Sequence, residues 1–131
     1  CAAGVKNIEI MEREDICGHV LEVGPYFESQ LKSLGDYPIV GDVRGSHFMM
    51  CIENVANKET KEIFPAEVAI GQRIAHHCQQ RGLIVRPIAH LNVMSPPLIL
   101  DRAQIDTVVG TLAASIEATM DELKRENLWA G

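Results

Sequence analysis

The strongest constraint on the fold is an apolar stripe between residues 101 and 125. Its apolar residues recur at spacings of three and four, which is the period of one face of an α-helix. Asp101 precedes the stripe and Gln104 follows three residues later, a pattern typical of a capping box. The stripe therefore predicts a long helix that needs a hydrophobic surface to pack against. Its members are Ile105, Val108, Val109, Leu112, Ile116, Met120 and Leu123.

Shorter apolar patterns before residue 101 predict the helices and strands that provide this hydrophobic surface. Their order (helix, helix, strand, strand, helix, strand, strand, then the terminal helix) predicts an α/β fold with helices packed on a small sheet of about four strands. A length of 131 residues, with 47% hydrophobic and 23% charged residues, fits a single domain over residues 1–131. The predicted upstream helices cover residues 2–11, 16–34 and 65–81, and the predicted strands cover residues 39–45, 48–52, 83–85 and 91–94.

The charge pattern argues against two classes of partner. The formal net charge is −6, and lysine and arginine form no run or stripe. Nucleic-acid binding and attachment to an anionic membrane both need clustered positive charge, so we expect neither. No apolar run approaches the roughly 20 residues that a membrane-spanning helix requires.

The four cysteines predict reduced thiols rather than a metal centre or disulfides. Cys1, Cys17, Cys51 and Cys78 show no CxxC pairing and no zinc-finger spacing. We expect them to lie in or near the core, where a free cysteine behaves as a small hydrophobe. Reduced thiols in turn favour a cytoplasmic location.

Several motifs that could carry chemistry are weak. The segment from Gly41 to Gly45 and Ser46 superficially resembles a phosphate loop, but it lacks the Gly-Lys-Ser/Thr ending. His76 and His77 are adjacent on a predicted helix and so do not share a face, whereas a zinc pair needs a spacing of four. We therefore expect no metal site.

A cysteine–histidine dyad is the other weak candidate. Cys51 and His47 are four apart and would point to the same side of a strand. Structural packing is the favoured interpretation, because no third orienting group accompanies them. An autonomous hydrolase therefore has little support.

Arg86 is the strongest single candidate for a binding residue. It follows the apolar segment 83–85 directly, and Pro87 restricts its backbone towards an extended conformation. A guanidinium on a rigid strand can grip a carboxylate with two hydrogen bonds. A solvated or salt-bridged arginine would have the same local sequence, so position alone leaves both interpretations open.

The beginning of the sequence resembles the inside of a longer protein. The chain starts at Cys1 without an initiating methionine, and the predicted helix over residues 2–11 has no Ser, Thr, Asp or Asn cap before it. We therefore expect the chain to be a piece of a longer polypeptide.

Taken together, these motifs resemble the C-terminal small domain of class III (omega-amino-acid type) pyridoxal-phosphate-dependent aminotransferases. The resemblance covers nearly the whole chain, with the motifs in the family's order. Residues 1–13 resemble the helix that leads in from the family's large domain. The motifs are Arg44-Gly45, Ile52-Glu53, Arg81-Gly82-Leu83-Ile84-Val85-Arg86-Pro87 and Ser95-Pro96-Pro97-Leu98-Ile99-Leu100.

The resemblance implies a function for the full-length protein. Such a parent would be a homodimer that uses pyridoxal 5'-phosphate to transfer an amino group from an amine or omega-amino acid to a 2-oxo acid such as pyruvate. The family's Schiff-base lysine lies upstream of this region, so we expect the isolated chain to be inactive and to bind no cofactor. No lysine here occupies a matching position; the five are Lys6, Lys32, Lys58, Lys61 and Lys124.

The resemblance also implies one site residue. Arg86 matches the family arginine that binds the substrate carboxylate, and the chain offers no catalytic, cofactor-binding or metal-binding residue. Many members have glycine where this chain has His47 and Cys51. The bulkier side chains either narrow the space around the strand or mark a subgroup, and the substrate range stays open between these alternatives. The alternative from another class is a stand-alone small-ligand-binding or regulatory α/β module, because the chain is long enough to fold alone.

Overall fold

The computed structural model describes residues 1–130 and confirms an α/β fold with a small sheet. Two 3-10 turns, Ser33–Asp36 and Ala66–Val68, connect longer elements. The helices are α1 (Ala2–Arg13), α2 (Ile16–Lys32), α3 (Ile70–Gln80) and α4 (Arg102–Arg125), and the strands are β1 (Val40–Ser46), β2 (Met49–Asn54), β3 (Arg86–Ile88) and β4 (Leu91–Met94).

The sheet is antiparallel throughout, with its strands in the order β1-β2-β4-β3. Strands β1 and β2 form a hairpin, and Gly45 beside its turn has a φ of 131°, which L side chains rarely adopt. A Cβ at Gly45 would also come within 2.1 Å of the Met49 carbonyl oxygen. The second hairpin joins β3 to β4 and places β3 at the edge of the sheet.

One face of the sheet carries the helices. Along β2, Met50, Ile52 and Asn54 are buried, whereas the alternating residues Met49, Cys51 and Glu53 are more exposed. This alternation follows from the period of two in a strand, which sends successive side chains to opposite faces. Helices α2 and α3 contact the strands, α4 packs on these two helices, and their buried side chains form one core with those of the sheet.

The predicted stripe of α4 supplies much of the core. Ile105, Leu112, Ile116 and Leu123 are fully buried. The capping box is also present, since the Asp101 carboxylate accepts a hydrogen bond from the Gln104 amide while the Gln104 side chain accepts one from the Asp101 amide. Both parts of the prediction for this helix are therefore confirmed.

The predicted strand over residues 83–85 is wrong, because pairing begins only at Arg86. Continuing the β3–β4 register backwards would set residues 83 and 84 opposite Pro96 and Ser95. A proline cannot donate to the ladder, so pairing with this segment cannot be extended. Val85 instead turns into the core, and Ile84 is 87% exposed.

The predicted helix over residues 65–81 is shorter than expected. A 3-10 turn follows Pro65, and Ala69 adopts the left-handed conformation with a φ of 51°. A left-handed residue interrupts the helical hydrogen-bond pattern, so α3 begins only at Ile70. Pro25, in contrast, lies inside an uninterrupted α2.

The prediction that the cysteines lie in or near the core is wrong for two of them. Cys78 is buried and Cys51 is half-buried, but Cys1 and Cys17 are exposed on α1 or its neighbour α2. Cys1 directly precedes α1, which has no buried residue, and Cys17 is not among the buried residues of α2. Within residues 1–130, no helix is both long and apolar enough to cross a membrane.

A network of charges joins α3 to α4. Arg73 forms ion pairs with Glu122 and, at 2.9 Å, with Glu126, and His77 Nε2 lies 2.8 Å from a Glu122 carboxylate oxygen. Burial raises the pKa of Glu122, but the hydrogen bond with His77 and the charge of Arg73 outweigh it, and the pKa lies below its ordinary 4.5. Ionised Glu122 therefore stabilises the contact between the two helices.

Replacing Asp101 with alanine should destabilise α4 by removing its N-terminal cap. We expect the free energy of unfolding to fall by about 1 kcal/mol, as measured by urea unfolding. Asp121→Ala is the control, because Asp121 is exposed near the other end of α4. Its effect should stay within about 0.5 kcal/mol. Equal losses in the two variants would contradict a capping role.

Glu122→Gln should make stability less dependent on pH in the acid range. Because the folded-state pKa lies below 4.5, the stabilisation is present above that value and is lost as the pH falls through the folded pKa. The variant should therefore be less stable than the wild type near neutral pH, and the difference should shrink in acid.

Urea unfolding at about pH 7 and about pH 3.5 measures this difference. Glu59→Gln serves as the control, since Glu59 is exposed in the loop after β2. A deficit of Glu122→Gln that stays constant at both pH values would refute the electrostatic explanation.

Candidate functional site

Arg86 lies at the edge of the sheet beside a mostly apolar cavity. It is the first residue of β3 and pairs with Val93 of β4. The cavity has a volume of about 370 Å³ and lies where the end of the β3–β4 hairpin meets α2 and α4. Its apolar lining includes Phe27, Leu83, Val85, Val93, Pro96 and Val108.

The Arg86 guanidinium forms none of the ion pairs found within residues 1–130. The side chain is exposed. The salt-bridged interpretation of Arg86 is therefore not observed among these residues. Such a guanidinium can donate hydrogen bonds to a bound carboxylate without first breaking an ion pair within residues 1–130.

The β3–β4 hairpin that carries Arg86 is short but well anchored. Val85, just before β3, is 7% exposed and belongs to the hydrophobic core. Ala89 in the turn adopts a φ of 51°. Pro87 has no amide hydrogen to donate, and an edge strand tolerates this because one of its sides has no partner strand. The backbone at Arg86 is thus fixed by burial on one side and a tight turn on the other.

A charged cluster lies on the exposed face of the same sheet. Arg44 on β1 forms ion pairs with Glu53 on β2 and, at 3.1 Å, with Asp42, and His90 Nε2 lies 3.3 Å from the other Glu53 oxygen. The hydrogen bond from Arg44 lowers the pKa of Glu53, against the opposing effect of burial. Arg44 is therefore ion-paired with carboxylates of this chain, whereas Arg86 is in none of the ion pairs of residues 1–130.

Arg86 and Arg44 belong to one row across the sheet. The register pairs Arg86 with Val93, Val93 with Cys51 and Cys51 with Arg44. Directly paired residues share a face of a sheet. The row thus places half-buried Cys51 and Val93 between Arg44, which is ion-paired, and Arg86, which takes part in none of the ion pairs of residues 1–130.

Cys51 and His47 do not form a dyad. His47 lies in the β1–β2 turn with a φ of 49°, and its Nδ1 lies 2.7 Å from the Ser46 hydroxyl. Its ring packs against α2, where a Cβ on Gly24 would come within 2.5 Å of it. Burial raises the pKa of the Cys51 thiol. The favoured interpretation of packing agrees with this geometry.

The glycine segment and the adjacent histidines do not form a phosphate loop or a metal site within residues 1–130. Gly41 and Gly45 both lie within β1, and a second strand rather than a helix follows them. His76 is exposed, whereas His77 contacts Glu122. Residues 1–130 contain no group of three or more His, Cys, Asp or Glu side chains that could hold a metal ion.

The five lysines contact other groups of this chain. Lys6 and Lys32 pair with glutamates on their own helices, at Nζ–O distances of 2.7 and 3.1 Å. Lys58 and Lys61 donate to the carbonyl groups of Gly35 and Gly41, and Lys124 lies over the Trp129 ring. None of these lysines lines the cavity beside Arg86. The residues present therefore do not fit a covalently held pyridoxal phosphate.

Sequence reasoning missed the buried pair formed by Asn54 and Asn92. Both side chains are fully buried and hydrogen-bonded to each other at 2.8 Å. The available signal was the alternation in β4, which places polar Asn92 on the same face as core residue Met94. A polar residue at a core position usually has a specific partner.

Comparison with known proteins agrees with this architecture. Residues 1–116 match the aminotransferase class-III family. The chain is 37% identical over 128 residues to an uncharacterized aminotransferase of Sinorhizobium fredii, covering 95% of the chain. It is also 37% identical over 119 residues to the putrescine–pyruvate aminotransferase of Pseudomonas aeruginosa, covering 90% of the chain.

Solved structures give the same result. The omega-transferase of Vibrio fluvialis JS17 superposes with a TM-score of 0.92 at 33% sequence identity, covering 95% of this chain and 30% of that one. The chain spans only 27% and 26% of the lengths of the Sinorhizobium and Pseudomonas relatives. It thus corresponds to one segment of proteins several times its length. The match over most of its residues shows that the chain belongs to the class-III aminotransferase family.

Proposed function

We propose that this chain is the C-terminal part of a transaminase that transfers an amino group from an amine or omega-amino acid to a 2-oxo acid such as pyruvate. Family membership supports the reaction type. The names of relatives, among them a putrescine–pyruvate aminotransferase and a mitochondrial gamma-aminobutyrate transaminase of rice, support the substrate classes.

In this proposal, Arg86 binds the substrate carboxylate. The observation that carries it is an exposed guanidinium that takes part in none of the ion pairs of residues 1–130, although Arg44 on the same sheet is fully paired. A carboxylate can receive two hydrogen bonds from such a group in a fixed orientation. The apolar cavity beside Arg86 would suit the hydrocarbon part of a substrate.

The family implies pyridoxal phosphate as cofactor, and one solved relative, from Vibrio fluvialis, is described as a PMP-bound form. Bound pyridoxal phosphate supplies the carbonyl group that takes up the amino group. Because the lysines of this chain are engaged on its surface, the cofactor would be held by other parts of the full-length protein. The contribution of this segment is then the binding and orientation of substrate.

We further propose that the full-length protein is a cytoplasmic homodimer. The four cysteines of this chain are free thiols, which is typical of reducing compartments. Val5 and Ile8 of α1 are each 58% exposed, and another part of the full-length dimer would cover them. Light scattering of the purified enzyme and cell fractionation test these two statements.

Arg86→Ala in the full-length enzyme should selectively impair substrates that carry a carboxylate. We expect kcat/KM for an omega-amino acid to fall by about ten- to hundredfold, because a charged pair of hydrogen bonds is lost. The value for an amine of equal chain length without a carboxylate should remain within about threefold. Steady-state kinetics with both donors and saturating pyruvate measures the difference.

Arg125→Ala is the matched control, since Arg125 is an exposed arginine at the end of α4. It should leave the ratio of the two kcat/KM values unchanged. Arg86→Lys, which keeps the charge but loses the planar fork, should give an intermediate ratio. If Arg86→Ala reduced both donors equally, the carboxylate-binding role would be wrong.

A further inference from the structure

We infer that Asn92 and Asn54 are positioning residues for Arg86, because their buried side chains fix the β3–β4 hairpin to α3 and β2. The inference rests on the proposed role of Arg86 in binding a carboxylate. It concerns residues that lie behind the sheet and that would not themselves contact the substrate.

Asn92 connects the hairpin to α3. Its side chain is fully buried, and its Nδ2 donates a hydrogen bond of 2.9 Å to the Gly71 carbonyl oxygen in the first turn of α3. The contact is close as well as polar, since a Cβ on Gly71 would come within 2.5 Å of the Ala89 carbonyl oxygen. The start of α3 therefore presses directly against the turn of the hairpin.

Asn54 connects the same hairpin to β2. Its Nδ2 donates to the Asn92 Oδ1 at 2.8 Å and to the His90 carbonyl oxygen at 2.7 Å. The backbone amide of Asn54 donates to that same carbonyl at 3.0 Å. Both hydrogens of the Asn54 side-chain amide are thus used to hold the hairpin.

This support matters because the strand that carries Arg86 has a neighbour on one side only. That strand is three residues long. Pro87, which stands opposite Asn92 in the register, donates no backbone hydrogen bond. Since the Arg86 guanidinium forms none of the ion pairs of residues 1–130, its location is set by the backbone of the hairpin.

Loss of either amide should move the hairpin. Removing the Asn92 side-chain amide breaks the link to the Gly71 carbonyl and leaves an Asn54 amide hydrogen buried without a partner. Such a group reorganises towards other partners or water. A displacement of about 1 Å in a substrate-binding group can cost up to a hundredfold in rate. The effect should fall on carboxylate binding, because that is the interaction whose geometry depends on Arg86.

The test uses the full-length enzyme with pyridoxal phosphate. The variants are Asn92→Leu, which keeps the approximate volume without the amide, and the milder Asn54→Ser. For each, kcat/KM is measured with an omega-amino acid and with an amine of equal length that lacks the carboxylate. We expect the ratio of the two values to fall by roughly tenfold, mainly through the KM of the omega-amino acid.

Thr119→Val is the matched control for general destabilisation. Thr119 is also fully buried, but its hydroxyl donates to Ser115 within α4, away from the hairpin. This variant should lower the thermal unfolding temperature without changing the ratio. A merely structural role of Asn92 and Asn54 would give the same result for them as for Thr119.

The outcomes separate the inference from the proposal on which it rests. If Arg86→Ala leaves the ratio unchanged, the carboxylate-binding role itself is wrong. If Arg86→Ala lowers the ratio but Asn92→Leu and Asn54→Ser do not, the positioning role is wrong. Should Asn92→Leu fail to fold, Asn54→Ser alone decides, and an unchanged ratio in that variant overturns the inference.

Discussion

The burial of the α4 stripe against the helical layer and one face of the sheet is the interaction on which the rest of the structure depends. Ile105, Leu112, Ile116 and Leu123 are fully buried and form a single core with α2, α3 and the inner face of the strands. Because only one face of the sheet is covered by helices, the other face is left to carry Arg44, Glu53 and half-buried Cys51. Packing thus separates a largely apolar face from a charged one.

The candidate site depends on a contrast between two arginines on that sheet. Arg44 is neutralised by carboxylates of its own chain, and its hydrogen bond lowers the pKa of Glu53. Arg86 lies on the short edge strand and takes part in none of the ion pairs of residues 1–130. The absence of an ion pair within residues 1–130, rather than the residue type, is what distinguishes Arg86 from Arg44.

The sequence was informative where a periodic pattern coincided with local chemistry. The Asp101–Gln104 capping box agrees with the structure, because a cap is formed by side chains within one turn of the helix. The strand expected over residues 83–85 was wrong, because the partner segment across the sheet contains Pro96. Pairing is a property of two segments, and an apolar run describes only one of them.

The sequence by itself determined the order of the helices, the number of strands and the long terminal helix, since each depends on residues near one another in the chain. The family resemblance strengthened Arg86 as a candidate. Only the tertiary structure showed that Arg44 is paired, that Cys17 is exposed, and that Asn54 and Asn92 meet behind the hairpin. The two asparagines are 38 positions apart, and a hydrogen bond over that separation exists only after the strands have paired. Contacts between distant segments follow from packing, which local patterns do not specify.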